Sequence, residues 1–205
     1  MTAEKFNFNK WNCFKKHQAN FGELEPAEMQ QIAATATQGN FLMMAKDLQY
    51  LLIRNQFTNN SRLFLMGLVD SPNCKVCTDT KDTNVHHFYE CPVARNAWDI
   101  VTTAFNEIGI HTFIDKAMSI LNFPEVSAND IRRVVINFTR LEIRNAKLNE
   151  YILTENLLVQ RLITLGEIFM TLGHQENIWA NLFYHLSGVK IRHRIFPRHY
   201  NTPQN

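Results

Sequence analysis

The chain has 205 residues, 45% of them hydrophobic and 20% charged, which fits one medium-sized domain, or one with appended helices, able to bury a core of its own. Its formal net charge of +2 is too small to argue for a nucleic-acid partner by itself. No stretch reaches the roughly 18 uncharged apolar residues of a membrane span, so no membrane partner is expected, and only 7 Gly and 6 Pro punctuate the chain, too few for the turns of a sandwich or barrel.

Residues 1–24 form an aromatic and basic arm, with Phe6, Phe8, Trp11 and Phe14 set among Asn and Lys. The arm has no continuous apolar core and does not read as a secretory signal. Pro26 stands where a first helical residue would, ahead of Met29, Ile32, Ala33 and Ala36. Residues 41–57 carry Met44, Leu48, Leu51 and Leu52 at helical spacing. Thr58-Asn59-Asn60-Ser61 is a capping cluster that ends this helix and starts a short one, with Leu63, Phe64 and Met66, that stops at Gly67. Asp70-Ser71-Pro72-Asn73 is a turn. Pro92 opens a helix with Ala94, Trp98, Val101 and Phe105 on one face, ended by Gly109, and residues 114–121 form another short helix. Ser127 and Asp130 make an S-x-x-D capping box before Ile131, Val134, Val135 and Phe138, in a helix predicted to reach about Glu150. Thr154 caps a helix striped with Leu158, Leu162, Leu165 and Phe169 and ending at Gly173; a last helix carries Ile178, Trp179, Leu182 and Leu186.

Between the turn and Pro92 lies the most specific pattern. Cys74, Cys77 and Cys91 fall in one short window with His86 between the last two, reading C-x2-C-x8-H-x4-C. A thiolate pair two residues apart can grip one side of a metal, and a His and a Cys about a helical turn apart can close the other. Four such ligands make a closed tetrahedral site for one structural Zn2+, with no open position for a catalytic water. His87 is the rival to His86, because His87 and Cys91 are spaced i, i+4 and would share an α-helical face. Clustered cysteines with an intervening His fit a reducing compartment and a metal better than a disulfide framework, so the expected location is intracellular, nuclear or cytoplasmic. Cys13 is left over as a free thiol.

The segment from residue 51 to 98 resembles the zinc-binding region that follows the reverse transcriptase domain of non-LTR (LINE-like) retrotransposons. The residues that carry the resemblance are Leu51-Leu-Ile-Arg-Asn-Gln-Phe-Thr58, Arg62-Leu63, Gly67, Ser71-Pro72-Asn73-Cys74-Lys-Val-Cys77, Asp82-Thr83-Asn-Val-His86-His87-Phe88-Tyr-Glu90-Cys91-Pro92 and Trp98. The family usually has an apolar residue where His87 stands. The resemblance favours His86 as the ligand and implies a module that helps hold RNA or DNA for a polymerase. The segment Phe138-Thr-Arg140-Leu141-Glu-Ile-Arg144-Asn145 is similar to the Arg-Asn helix that often follows in these elements. No Tyr-x-Asp-Asp motif and no paired-carboxylate cluster for two Mg2+ ions occurs, nor a nucleophile elbow or glycine-rich phosphate loop. The expectation is a non-catalytic protein.

Two surfaces would suit RNA or DNA. Arg133, Asn137, Arg140, Arg144 and Lys147 are spaced to share one face of a helix without a carboxylate, where they could track phosphates. The tail bears Lys190, Arg192, Arg194 and Arg198 among Phe196 and Tyr200, a mixture suited to phosphate contact and base stacking. The predicted fold is a mainly α-helical protein with an embedded CCHC zinc-knuckle-like loop and no extensive sheet. It divides into an arm and short helix (1–40), a reverse-transcriptase-type zinc-binding domain (41–108), a helical region (109–187) and a basic tail (188–205). The alternative function is an inactive relic, or a repurposed helical domain that binds an unidentified protein and no nucleic acid.

Overall fold

The computed structural model describes residues 12–22, 25–36, 43–121 and 130–171. Among the described residues are eight α-helices: α1 (Asn12–Phe21), α2 (Pro26–Ala36), α3 (Met43–Ile53), α4 (Asn60–Leu65), α5 (Pro92–Glu107), α6 (Lys116–Leu121), α7 (Ile131–Leu148) and α8 (Glu155–Thr171). One π-helical turn, His86–Glu90, precedes α5. The β pairing among these residues is a single antiparallel bridge between Asn73 and Lys81. The chain is thus mainly helical, as its apolar periodicity predicts, and no helix of the described residues is long and apolar enough to cross a membrane.

Helix ends follow local chemistry. Pro26 and Pro92 sit at the first positions of α2 and α5, where a missing N–H costs nothing. Asn59 caps α4, its Oδ1 accepting from Arg62 N at 3.0 Å. Thr154 Oγ1 accepts from Leu157 N at 3.3 Å at the start of α8. Asp130 itself caps α7 by accepting from Arg132 N at 2.8 Å, whereas Ser127, the other half of the predicted box, lies outside the described residues. Several C-termini close in the paired 6→1 and 5→2 pattern of a Schellman motif. In α5, Ile110 N donates to Phe105 O and Gly109 N to Asn106 O, with Gly109 at φ 77°, a left-handed conformation glycine adopts without strain. At α3 the left-handed residue is Asn55, and after α7 it is Glu150.

The core is built around α7, which packs against α3, α5, α8 and the π turn. Its Val134, Val135, Ile136, Leu141 and Ile143 are all buried, together with Leu52, Phe88, Val101, Phe105 and Leu158 from its neighbours. Enclosure on so many sides overturns one expectation. The first three members of the basic stripe on α7 do not face solvent: Arg133 is 2% exposed, Asn137 4% and Arg140 0%. Arg140 donates from Nε to Ser119 O (2.6 Å) and from Nη2 to Met118 O (2.7 Å). Its Nη1 donates to Asn137 Oδ1 at 2.8 Å and to Gln49 Oε1. Gln49 Nε2 in turn donates to Leu121 O at 2.8 Å. The two side chains thereby satisfy the carbonyls at the end of α6, which have no partner within their own helix, and a cation there complements the helix dipole. Burial and the nearby charge of Arg133 push the Arg140 pKa down to about 9, still protonated at neutral pH.

Part of the amino-terminal arm is helical. Residues 12–21 form α1, which buries Phe14 and His17. His17 Nε2 bonds to Ile53 O at 2.8 Å and its ring stacks on Phe21. Phe14, His17 and Phe21 share one helical face, a stripe hidden from a hydrophobic count because its middle member is a histidine.

Candidate metal centre

The loop from Ser71 to Asp82 is a tight knuckle. Cys74 N donates to Thr80 O and Thr78 N to Cys74 O, both at 2.8 Å, and Asp82 N donates to Pro72 O at 2.9 Å. The start of α4 holds this loop in place: Asn60 Nδ2 donates to Asn73 O at 2.8 Å and Ser61 Oγ to Pro72 O at 3.2 Å. Asn59 donates to Asn84 Oδ1, and Asn84 to Asn55 Oδ1, each at 2.8 Å. The polar cluster that sequence reads only as a helix cap therefore also fastens the knuckle to α3 and to the segment that leads into the π turn.

The π turn decides which histidine joins the cysteines. In an α-helix, residues four apart share a face and residues five apart do not, since each residue advances about 100°. By that rule His87 would lie over Cys91. In the structure Cys91 N donates to His86 O at 2.8 Å, a bond spanning five residues, so the winding is wider by one residue. His86 is thereby brought to the cysteine side. His87 turns the other way, with Nδ1 3.1 Å from Asp82 Oδ1 and its ring edge-on to Phe57 and tilted against Phe88. Trp98 Nε1 donates to Phe88 O at 2.6 Å and locks the turn onto α5.

Cys74, Cys77, His86 and Cys91 come together with one ligand atom each, all within 4.8 Å of one another. Cys91 Sγ is 3.9 Å from both Cys74 Sγ and Cys77 Sγ. This is too long for a disulfide and close to the roughly 3.8 Å edge of a tetrahedron with Zn–S bonds of about 2.3 Å. His86 is 4% exposed, and its Nε2 is buried without a hydrogen-bond partner among the described residues. A buried ring nitrogen left unpaired beside three sulfurs fits a cation better than it fits any hydrogen-bond scheme. The donor set fits one zinc ion with no position left over.

The electrostatics favour thiolates. A hydrogen bond from the Cys91 thiol holds Cys74 down to about 3, against its burial, with help from the backbone N–H groups of Cys77 and Val76 and the charge of Lys147. The same shared proton, together with burial, pushes Cys91 up, and burial beside the Cys74 charge pushes Cys77 up. The hydrogen bond and backbone N–H groups thus favour the thiolate at Cys74, while burial opposes it at all three sulfurs. Zinc requires all three as thiolates, so affinity falls in acid. Behind Cys74, Asp82 accepts from Asn60 N at 3.1 Å and lies 3.3 Å from Lys147 Nζ. Burial alone would raise the Asp82 pKa; the His87 bond and the Lys147 charge outweigh it and hold the carboxyl at about 2. Burial pushes His87 down, so its ring is neutral at pH 7 and the balancing charge on Asp82 is Lys147.

Arg144 is half-buried and lines a cavity of about 330 Å³ with Thr58, Asn60, Lys75, Asp82, His87 and Lys147. Of the basic residues predicted on α7, Arg144 and Lys147 thus line this cavity with Asp82 and His87, while Arg133 and Arg140 are in the core. Lys190, Arg192, Arg194 and Arg198 lie outside the described residues. Lys75 joins them at the cavity and pairs with Glu150 across the molecule; it hides in sequence as the spacer between two cysteines.

Fold and cluster together define a helical zinc-binding module. Residues 7–98 match the protein family described as zinc-binding in reverse transcriptase, a region distinct from the polymerase itself. The match begins well upstream of residue 51, where the resemblance in sequence starts, and includes the stretch that forms α1 to α3. No curated protein and no solved structure matches the chain.

Proposed function

We propose that this chain is a non-catalytic zinc-binding module of the non-LTR retrotransposon type that binds RNA or DNA, with Cys74, Cys77, His86 and Cys91 holding the metal as scaffold. The single observation that carries the nucleic-acid reading is Arg144. It makes no hydrogen bond or ion pair among the described residues, and it lines a cavity that Lys75 and Lys147 also line. Lys75 and Lys147 already have carboxylate partners in Glu150 and Asp82. A half-exposed guanidinium with no acceptor among the described residues is open to the bidentate pairing that a phosphate group supplies.

The test is anisotropy of labelled single-stranded RNA, single-stranded DNA and duplex across a salt series. Binding should weaken steeply with salt, and Arg144→Ala should weaken it and lower the salt slope by about one phosphate contact. Binding that ignores salt, or that Arg144→Ala leaves unchanged, contradicts the reading. A second reading has its own observation. Leu65, Met66 and Leu68 are 82%, 59% and 63% exposed next to Phe64, an apolar run of the kind that marks a protein partner.

A further inference from the structure

The predicted zinc-binding region closes its ligand set by residue 91, and the family match ends at residue 98. The structure nevertheless brings a residue from far outside that region against the cluster. Lys147, on the last turn of α7, is only 7% exposed in its side chain and lies 3.3 Å from Asp82 Oδ1. It lines one cavity with Lys75, Val76 and Val93, and another with Lys75, Asp82 and His87. Its ammonium thus lies against Asp82 and near enough to Cys74 and Cys91 to feel their charge. α7 itself packs directly on the π turn that carries His86.

The charge of the site explains what such a cation does. Three thiolates and a neutral imidazole around Zn2+ leave a net charge of −1. Buried without compensation, that charge is costly, and the Asp82 carboxylate beside it adds another; the Lys147 ammonium, near both, offsets part of the total. We propose that Lys147 is a positioning residue of the metal centre, stabilising the three-thiolate zinc complex by its charge and tying the knuckle to α7. Partners beyond the direct ligands commonly change metal affinity by about 10- to 100-fold when removed. The inference rests on Cys74, Cys77, His86 and Cys91 being the zinc ligands, and the metal stoichiometry of the unaltered protein tests that reading separately.

The experiment is zinc competition against a chromophoric chelator on the full chain, for wild type, Lys147→Arg, Lys147→Gln and Lys147→Met, with a parallel cobalt titration. Charge rather than length should decide the result. Lys147→Arg should stay within about threefold of wild type, while Lys147→Gln and Lys147→Met each lose about 10-fold or more in zinc affinity. The thiolate-to-cobalt charge-transfer band should move to longer wavelength in the two uncharged variants, because sulfurs without the nearby cation give up electron density more easily. A purely packing role would not move that band. Equal affinity and an unmoved band in the Arg and Gln variants would overturn the proposal even if Lys147→Met fails to fold. A wild-type protein that binds no zinc would instead remove the ligand reading on which it stands.

Discussion

Thr78 follows the second cysteine of the knuckle with φ at 52°, in the left-handed region. For a β-branched residue this is a strained conformation, costing on the order of 1–3 kcal/mol. The knuckle enforces it, because Thr78 N must reach Cys74 O while its own carbonyl accepts from Asn73 Nδ2. The side chain is exposed and nothing else is asked of it. Thr78→Gly should therefore stabilise the zinc-loaded protein by about 1 kcal/mol, after the extra chain entropy of glycine is subtracted. Urea unfolding measures this, and a destabilised variant would mean that the knuckle is not the turn described. The clustering of Cys74, Cys77 and Cys91 with a histidine was legible in sequence, since cysteine and histidine spacing is a direct image of metal chemistry. The strain at Thr78 was not, because the residues that announce a left-handed conformation are glycine and asparagine, and a threonine stands here.

Among the elements, the π turn and α7 show where sequence reasoning runs short. Apolar periodicity, prolines and caps placed α2, α3, α4, α5 and α8 close to where they lie, since those signals act within one turn of chain. The π turn depends on a hydrogen bond displaced by one residue, from Cys91 N to His86 O, and composition carries no trace of that register. Sequence spacing alone therefore left His86 and His87 as rivals. In α7 the misreading came from charge: an arginine stripe reads as solvated, yet Arg140 is a buried cap for α6. Removing it should leave Met118 O, Ser119 O and Gln49 Oε1 in the core with fewer donors. Arg140→Met is expected to lower stability by about 3–5 kcal/mol. Arg140→Lys should also be damaging, since an ammonium cannot reproduce the fork. Arg144→Ala, one turn along the same helix, should stay within about 0.5 kcal/mol. Denaturant midpoints compare them, and equal effects at the two positions would place Arg140 on the surface after all.

At the scale of the whole molecule, the zinc knuckle is an inset in a helical core rather than a bead beside one. Its loop is fastened to α4 by Asn60 and Ser61, its histidine is set by a turn pinned to α5 through Trp98, and Asp82 at its end is paired with Lys147 from α7. The contact with α7 joins residues 65 positions apart, Asp82 and Lys147, and this part of the arrangement could not be read from local pattern. It also means that metal and core should report on each other. The most direct test is elemental analysis of wild type and Cys77→Ser purified without chelator, alongside thermal unfolding. About one zinc per chain in wild type, lost in Cys77→Ser together with a fall in midpoint temperature, is the predicted result. A wild-type protein free of zinc, or a Cys77→Ser variant that keeps its zinc, would contradict the metal centre on which the account depends.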